Sequence, residues 1–289
     1  MMTVFSIFLA IVFFFASMTY VLYWYDTANG PALENLRLRC QGRLVLCVLQ
    51  GYLWALMAQT LAVLTFPLGW LPERKKNQEQ GDGNNPIIVT LHGLYHNRSA
   101  FLFIHWALKR AGFEDVRSWS YACWKTDFFQ LSARLSHDLE ALHRMAPDRP
   151  LLVIGHSLGG LLARHAITRL KPKTLAGCLT LGSPHQGSRL AVFALGKLGR
   201  SLAYRSSLIQ KIEHDETALA DTSTSCLALV SPVDNMVLPM EALEPAGSHW
   251  QLQWTPPMSH VAMLYHPTIL RQIVLWAKQW RPRENGASG

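Results

Sequence analysis

Apolar residues are distributed along this chain in two different ways. Residues 1–25 carry no charged side chain, and residues 44–72 form a second uncharged run, which ends at the charged segment 73–76. After residue 86 the apolar runs are short and alternate with stretches of helical periodicity. A helix that spans a bilayer needs about 20 apolar residues. The pattern therefore predicts a membrane anchor over residues 1–72, with helices at about 2–25 and 44–70, followed by a globular domain.

Both long runs have an alternative interpretation. The first could be a cleaved signal peptide, but it lacks the basic start and the small-residue cleavage site of such peptides. It ends in a cluster that is typical of an aromatic belt at a membrane interface: Tyr20, Tyr23, Trp24 and Tyr25. The second run contains two glutamines, which would need hydrogen-bond partners in lipid. Its alternative is a kinked helix that lies in the interface or packs on the domain.

Basic residues near the runs predict an orientation in the membrane. Arg37, Arg39 and Arg43 lie between the runs, and no Lys or Arg precedes the first run. The positive-inside rule then places the segment between the runs in the cytoplasm. The domain would face outward, into the periplasm if the membrane is a bacterial inner membrane. Residues 74–76, Arg-Lys-Lys, favour the opposite orientation.

The segment after the anchor shows strand and helix patterns in alternation. Residues 73–85 are polar and contain glycine, which is typical of a linker. Strand-like runs at 87–91, 116–120, 151–154, 175–181 and 226–230 alternate with helical patterns at 99–111, 128–145, 158–170 and 268–280. This alternation predicts an α/β domain over residues 86–281, with a mostly parallel sheet flanked by helices. Functional groups are expected at the carboxyl ends of its strands. Residues 282–289 would form a flexible tail.

Charge and cysteine content narrow the expected partners. The 289 residues carry a net charge of +8, but no basic run is interleaved with aromatic residues. We therefore expect an anionic membrane surface as a partner and do not expect nucleic acid. The five cysteines lack the spacing of a metal site, and no cluster of His, Asp and Glu suggests one. No metal or cofactor is predicted.

The candidate nucleophile is Ser157, which lies in Gly-His-Ser-Leu-Gly-Gly at residues 155–160, between a strand-like run and a helical pattern. A serine that attacks an acyl group must protrude from a tight turn. In such a turn the residues two before and two after the serine come so close that only small side chains fit. Gly155 and Gly159 meet this requirement, and His156 is expected to support the turn.

A carboxylate and a histidine would have to activate this serine. Among the downstream acids, Asp234 directly follows the strand-like run 226–230, where a loop at the end of a strand would hold it. Its rivals Asp215 and Asp221 precede that run. We therefore predict Asp234 as the acid, against the alternative of an aspartate that only stabilises a turn.

Three late histidines are candidates for the general base. His260 lies in a loop before the last helical pattern, from which its imidazole could reach Ser157. His249 could lie in a strand, and His266 precedes a proline, where a capping role is expected. We predict that His260 accepts the serine proton, while the carboxylate fixes its tautomer and stabilises the imidazolium.

Two backbone N–H groups are expected to bind the oxyanion of the tetrahedral intermediate. One belongs to Leu158, directly after the nucleophile, and the other to Leu94 in the segment 91–94, Leu-His-Gly-Leu. Gly93 would let this segment turn tightly. We expect His92 to be a buried side chain that supports the loop, without a direct catalytic or metal-binding role.

These segments resemble those of the α/β-hydrolase superfamily, and within it the bacterial triacylglycerol lipases and esterases. The resemblance covers roughly residues 86–280 and includes Gly-Ser-Pro-His-Gln-Gly-Ser at 182–188, which is similar to a segment of lipases and related membrane deacylases. It implies an α/β-hydrolase fold and a catalytic triad in the order Ser, Asp, His. It also implies hydrolysis of carboxylic esters of lipids through an acyl-serine intermediate, without a cofactor. Residues 186–220 have no individual counterpart in it.

The unmatched segment contains a candidate lid. In residues 189–204, apolar residues follow a spacing of three and four, and basic residues lie between and after them: Ala191, Ala194, Leu195, Leu198 and Leu202, with Lys197, Arg200 and Arg205. This pattern predicts an amphipathic helix that rests on an anionic lipid surface, within a lid-like insertion at about 186–220. The alternative is an ordinary helix packed on the domain.

The sequence as a whole predicts a membrane-anchored serine hydrolase of the lipase, esterase or phospholipase type. Its substrate would be an acyl ester presented by the bilayer, such as a phospholipid, a lysophospholipid or an acylglycerol. Two alternatives remain open at this point. One is an acyltransferase that uses the same triad, and the other is a membrane interaction protein that retains the fold without the chemistry.

Overall fold

Six parallel strands form the sheet at the centre of the domain. The computed structural model describes residues 2–72, 85–124, 126–218 and 223–281. The strands are β1 (Ile87–Leu91), β2 (Val116–Trp119), β3 (Leu151–His156), β4 (Gly177–Leu181), β5 (Ser225–Val230) and β6 (Trp250–Trp254). Their order in the sheet is β2-β1-β3-β4-β5-β6, and every neighbouring pair is parallel. This architecture confirms the predicted fold class.

Helices cover both faces of the sheet. Those of the described chain are α1 (Met2–Ala28), α2 (Ala32–Arg39), α3 (Leu44–Thr65), α4 (Leu102–Arg110), α5 (Phe128–Met145), α6 (Leu158–Ile167), α7 (Gly196–Ser201), α8 (Ser207–Thr217) and α9 (Pro267–Lys278). Short 3₁₀ turns lie at Phe66–Trp70, Arg98–Phe101, Arg189–Phe193, Met240–Leu243 and Val261–Leu264. Successive residues of β3 alternate between two buried clusters, one under α5, α6 and α8 and the other under α4 and α9.

The chain reverses direction across the sheet between β1 and β3. From β1 it moves outward to β2, and it then returns to the opposite side of β1 to form β3. In open parallel sheets, ligands bind at such a switch point, outside the carboxyl ends of the strands. Since β1 ends at Leu91 and β3 ends at His156, the segment 92–95 and Ser157 meet at this point.

The N-terminal helices pack on the domain. Two stretches, Ser6–Ala28 and Leu44–Trp70, are long and apolar enough to cross a membrane, although a signal sequence or the core helix of a soluble protein would meet the same criterion. The expectation of an aromatic belt is wrong for two of its four residues. Tyr20 and Tyr23 are buried against the domain, whereas Trp24 and Tyr25 are exposed. The hydroxyls of both buried tyrosines donate hydrogen bonds to backbone carbonyls of the domain, which accounts for the inward orientation of their side chains.

The predicted lid helix does not form as a single helix. Residues 194 and 195 are extended, because a 3₁₀ turn ends before them and Gly196, with φ of 75°, begins α7 after them. Leu198 and Leu202 are buried in the core. Three other apolar residues point into solvent at this break: Val192, Phe193 and Leu195. The segment therefore presents an apolar tip rather than an amphipathic helix face.

Several other predicted boundaries differ from the structure. The helix expected at about 44–70 ends at Thr65 and continues as a 3₁₀ turn, which contains Pro67. Strand β6 was missed because it lies at the sheet edge and leaves its middle residues exposed. The predicted linker 73–85, except residue 85, and the predicted tail 282–289 lie outside the described residues, as does part of the insertion at 219–222. The division into anchor, linker and domain therefore stays a prediction.

Candidate active site

Ser157 occupies a strained turn between β3 and α6. Its φ of 55° and ψ of −123° place a residue with a side chain in a region that favours glycine. Strain of this kind costs about 1–3 kcal/mol and persists only where the surroundings enforce it. Here the Ser157 N–H donates to the carbonyl of Leu181 at the end of β4, at 3.0 Å. The turn therefore fixes the serine at the carboxyl edge of the sheet.

Close backbone approaches on both sides of the serine leave room only for glycine. A Cβ atom on Gly159 would lie 2.2 Å from the carbonyl oxygen of Leu91, at the end of β1. A Cβ atom on Gly155 would lie 2.5 Å from the Cα atom of Gly160. Both contacts are with backbone, which cannot move aside without shifting a strand or a helix. The two glycines thus allow the strand, the turn and α6 to meet at the spacing that a nucleophile elbow requires.

Asp234 and His260 form a buried hydrogen-bonded pair. The Asp234 Oδ2 atom lies 2.7 Å from His260 Nδ1, and both side chains are almost fully buried. The other carboxylate oxygen, Oδ1, accepts from the N–H groups of Met236 at 2.9 Å and Val237 at 3.0 Å. Both carboxylate oxygens of Asp234 are therefore engaged, and Oδ2 faces His260 Nδ1. In the tautomer that donates from Nδ1 to this oxygen, Nε2 is the ring nitrogen that can accept a proton.

The Asp234–His260 pair borders the turn that carries Ser157. Leu181 accepts the serine N–H, and the next residue is Gly182. A Cβ atom on Gly182 would lie 3.0 Å from Asp234 Oδ2 and 3.2 Å from His260 Nδ1. Because no side chain stands at position 182, the pair can approach the edge of the sheet beside the serine. The structure thus brings the three predicted triad residues to one region.

His156 supports the backbone of His260. Its Nε2 atom lies 3.1 Å from the His260 carbonyl oxygen, and the two rings have centroids 4.7 Å apart. Burial lowers the pKa of His156 well below its usual range. A neutral His156 that donates from Nε2 to this carbonyl fits that environment. The residue before the candidate nucleophile therefore positions the loop that carries the candidate base.

The segment 92–95 lies directly against the candidate nucleophile. A Cβ atom on Gly93 would be 3.0 Å from Ser157 Cβ, so any larger residue would press on the serine. His92 is buried beside it, with its ring stacked on Tyr121 at 4.2 Å between centroids, and burial lowers its pKa to about 4. Its Nδ1 atom lies 2.9 Å from the Gly93 carbonyl oxygen. His92 is thus a buried side chain beside Gly93, and its supporting role stays a prediction.

The donors predicted for the oxyanion lie on the two sides of this region. Leu158 begins α6, and the first N–H groups of a helix have no partner within that helix. Leu94 follows Gly93 on the segment that borders Ser157. Backbone N–H groups at these two positions are the type of donor that binds a developing oxyanion.

Asn235 and helix α1 hold the loop that carries Asp234 through contacts that the sequence did not reveal. The Asn235 Oδ1 atom accepts from the His260 N–H at 3.2 Å, and its Nδ2 donates to Thr19 Oγ1 at 2.7 Å. Tyr20 donates to the Val233 carbonyl at 3.0 Å. The available signal was the presence of hydroxyl groups within an apolar helix, since buried hydroxyls need partners.

The rival residues have other partners. His249 Nε2 lies 3.1 Å from Glu216 Oε1, and His266 caps α9 by accepting from the N–H of Thr268 at 3.2 Å. Asp215 pairs with Lys211 at 2.6 Å. The second rival acid, at position 221, lies outside the described residues.

Asp215 also belongs to a second set of serine, histidine and aspartate. Ser132 Oγ lies 2.7 Å from His165 Nδ1, and His165 Nε2 lies 3.2 Å from Asp215 Oδ2. Ser132 is fully buried within α5, where an ester could not reach its hydroxyl. This set joins α5, α6 and α8 to one another and is a structural contact between helices.

Potential metal ligands do not cluster in the described part of the chain. No group of three or more His, Cys, Asp or Glu side chains there could hold a metal ion. The five cysteines are buried free thiols, and burial raises the pKa of Cys226 to about 12. Such thiols are unreactive side chains of the core.

Comparison with known proteins places this geometry in a wider context. A family model described as "PGAP1-like alpha/beta domain" matches residues 137–217, which include the nucleophile turn and helices α6 to α8. No curated protein matches the sequence. Among solved structures, Bacillus licheniformis lipase BlEst2 in its mature form is similar with a TM-score of 0.56 at 15% identity, covering 71% of this chain and 95% of that chain. The chain has the α/β-hydrolase fold.

Two further solved structures differ in how much of their length matches this chain. Aspergillus fumigatus lipase B is similar with a TM-score of 0.59 at 15% identity, covering 70% of this chain and 54% of that chain. Phospholipase PlaB from Legionella pneumophila is similar with a TM-score of 0.44 at 12% identity, covering 51% of this chain. The chain spans only 39% of the length of PlaB. The fold resembles that of the two lipases, at 15% sequence identity.

The insertion after β4 of this hydrolase fold covers the segment 92–95. Tyr95 donates a hydrogen bond to the Leu195 carbonyl, and its ring stacks on Trp124 at 5.1 Å between centroids. A Cβ atom on Gly199 would lie 3.2 Å from Leu94 Cδ2 and 2.7 Å from the Tyr95 hydroxyl. Helix α7 therefore lies against the residues that include a predicted oxyanion donor, with its apolar tip exposed beside them.

Proposed function

We propose that this protein is a membrane-associated serine hydrolase that cleaves carboxylic esters of lipids through an acyl-serine intermediate. The observation that carries the proposal is the buried 2.7 Å hydrogen bond between Asp234 and His260 beside the strained turn of Ser157. This arrangement supplies a nucleophile, a base and a group that orients the base. A protein that had kept the fold without the chemistry would have no need of that set.

In the proposed reaction, the Ser157 hydroxyl attacks the ester carbonyl and gives its proton to His260 Nε2. Asp234 stabilises the imidazolium that forms, while the N–H groups of Leu158 and Leu94 bind the oxyanion. Collapse of the tetrahedral intermediate breaks the ester bond, and the imidazolium protonates the departing alcohol. A water molecule then gives a proton to His260 and attacks the acyl-serine. When this second intermediate collapses, the bond to Ser157 Oγ breaks, the imidazolium returns the proton to that oxygen, and the carboxylic acid is released.

Two features support a lipid ester as the substrate. The exposed apolar tip at residues 192–195 lies beside the candidate oxyanion segment, where it could contact acyl chains or a lipid surface. Two helices long and apolar enough for a membrane also pack against the loop of Asp234. Similarity in fold to the lipases named above agrees with this substrate class.

Histidine variants test this proposal directly. We expect His260→Ala to lower the turnover of a p-nitrophenyl ester by roughly 10⁴-fold or more, as happens when a triad base is removed. His249→Ala and His266→Ala are matched controls, because each removes a late histidine whose partners lie outside the proposed triad, and both should stay active. Equal losses in all three variants would contradict the assignment of the base. Release of free acid, measured with an added acceptor alcohol present, distinguishes hydrolysis from acyl transfer.

A further inference from the structure

Both ends of helix α3 rest on the same sheet domain. At the end of α2, five residues before α3 begins, the guanidinium of Arg39 lies 3.5 Å from the ring centroid of Trp254, the last residue of β6. Just after α3 ends, the carbonyl of Phe66 accepts a hydrogen bond from Asn97 Nδ2 at 3.0 Å. Asn97 lies in the loop that follows β1. The two contacts therefore join opposite ends of one helix to distant strands of one sheet.

The middle of α3 also contacts the domain. A Cβ atom on Gly51 would lie 2.7 Å from Val233 Cγ2, in the loop that carries the candidate acid. Trp54 packs on His266 with 4.4 Å between ring centroids. Ala58 is fully buried in the cluster under α4 and α9. Helix α3 thus lies along the carboxyl edge of the sheet over its whole length.

This placement is incompatible with a helix that crosses a bilayer. At 1.5 Å per residue, the 22 residues of α3 extend about 33 Å, close to the roughly 30 Å of a bilayer's hydrocarbon core. A spanning α3 would put Arg39 and Asn97 on opposite sides of the membrane. Trp254, which Arg39 contacts, is the last residue of β6, and Asn97 lies in the loop after β1 of the same sheet. That sheet would then have to pass through the hydrocarbon as well.

The outer surfaces of α1 and α3 are apolar. On each helix the buried residues recur every three or four positions, so the exposed apolar residues lie on the opposite face. Six of them are at least half exposed: Ile11, Phe14, Val21, Val45, Leu53 and Leu64. The two helices lie side by side, joined by a 2.9 Å hydrogen bond between Ser17 and Tyr52. Together they form one apolar surface, which we call the outer face of α1 and α3.

We propose that this outer face inserts into a single leaflet, with α1 and α3 lying in the plane of the membrane. The occupant of the face is the acyl-chain region of that leaflet, because the outer face is apolar while the opposite face of each helix packs on protein. Helices that lie in the interface bury such a face to a depth of about 5–10 Å. Arg37 and Arg43, on the segment between the helices, would contact anionic headgroups. The proposal rests on the membrane association proposed above and specifies its geometry.

Two consequences follow for the enzyme. Because α3 lies along the edge of the sheet where Ser157 stands, the candidate site is held at the lipid surface rather than at the end of a tether. Because no crossing occurs, the arginines between the helices no longer determine on which side of the membrane the domain lies. The periplasmic placement predicted from the sequence then depends on a separate measurement.

Depth measurements along α3 test the proposal. Nitroxides are placed one at a time at Val45→Cys, Leu53→Cys and Leu64→Cys of the full chain, reconstituted in vesicles of phosphatidylethanolamine and phosphatidylglycerol. All five native cysteines are buried, so little nitroxide should attach to them. Labelling of the unsubstituted chain measures this background. We expect similar, shallow depths at the three positions. A nitroxide depth that is greatest at Leu53, at about 15 Å and so at the bilayer centre, would overturn the proposal. Absence of lipid contact at all three, as when a second copy covers the face, would overturn it too.

A sidedness measurement provides an independent test. Asn35→Cys reports on the segment between the helices, and Lys109→Cys reports on the domain, and both positions are exposed. With a membrane-impermeant maleimide on sealed vesicles, both should react from the same side. Reaction from opposite sides would show that the helices cross. Neither measurement requires turnover, so an inactive Ser157→Ala protein gives the same readout, and failure of the hydrolase proposal is distinguishable from failure of this one.

Discussion

Removal of one hydroxyl from helix α1 should slow the reaction at a distance. Thr19 Oγ1 accepts from Asn235 Nδ2 at 2.7 Å, and Asn235 Oδ1 accepts the backbone N–H of His260 at 3.2 Å. All three residues are buried. Thr19→Val keeps the shape of the side chain but leaves the amide of Asn235 without its acceptor. Either that donor stays unsatisfied or the carboxamide turns away from His260.

The size of the effect follows from the cost of a buried donor without a partner, about 1–3 kcal/mol. If relaxation of the carboxamide transfers half of that cost to the position of His260, kcat falls by roughly 2- to 10-fold, since 1.4 kcal/mol corresponds to one factor of ten. KM should be unchanged, because Thr19 lies behind the acid loop and not in the proposed substrate path. A loss confined to kcat identifies Thr19 and Asn235 as positioning residues for the base.

The assay is steady-state hydrolysis of a soluble short-chain ester by the full chain in detergent. Thr19→Ser retains a hydroxyl and should recover most of the wild-type kcat. Thr60→Val is the matched control, because Thr60 lies on the other apolar helix and its hydroxyl donates to Leu56 of its own helix at 2.7 Å. Wild-type kcat in Thr19→Val, or an equal loss in Thr60→Val, would refute this reasoning.

Three other perturbations have defined outcomes. Gly159→Ala should prevent correct folding, measured by yield and thermal unfolding, because the added Cβ would lie 2.2 Å from the Leu91 carbonyl oxygen. The control Gly42→Ala, with no atom within 4 Å of its added Cβ, should lower the free energy of unfolding by only about 1–3 kcal/mol. Equal effects of the two variants would contradict this. Phe193→Ser should reduce hydrolysis of vesicle-bound lipid esters but not of soluble ones; a loss on both would argue against a lipid-contacting tip. Burial alone would raise the pKa of Glu216, but hydrogen bonds from a histidine and a buried guanidinium lower it from 4.5 to about 2. The contribution of the Glu216 carboxylate to stability is therefore complete above about pH 4.5 and is lost as the pH falls toward 2. Glu216→Gln should lower the free energy of unfolding by about 3–5 kcal/mol at pH 7, measured with denaturant, and by less at pH 3. A difference that does not change with pH would contradict the assignment.

The sequence was sufficient for five of the six strands and for the turn at Ser157, because these depend on local patterns. Apolar runs of five or six residues and the glycines around Ser157 indicate a strand, a turn and a helix without any knowledge of distant contacts. Strand β6 escaped prediction since an edge strand with exposed middle residues has no apolar run. The apolar spacing of the lid segment predicts one helix. Gly196 and Gly199 weaken helices, however, and the chain is extended between the 3₁₀ turn at Arg189–Phe193 and α7.

Contacts between distant parts of the chain could not be predicted in this way. Tyr20 and Tyr23 have the composition of an aromatic belt, and only the fold reveals that their hydroxyls bond to the carbonyls of Val233 and Pro232. Likewise, hydropathy treats the helix at Leu44–Thr65 as a spanning segment, because composition does not record which face packs on protein. Asn235 resembles an ordinary turn residue in the sequence, and its two side-chain hydrogen bonds depend on tertiary structure.

Identification of the residue that a fluorophosphonate modifies decides whether Ser157 is the nucleophile. We predict that mass spectrometry of the digested protein finds the adduct on Ser157 and that Ser157→Ala abolishes labelling. Ser132→Ala, which alters the buried second set of serine, histidine and aspartate, should be labelled like the wild type. Labelling that persists in a folded Ser157→Ala protein, or an adduct on a different serine of the wild type, would contradict this prediction.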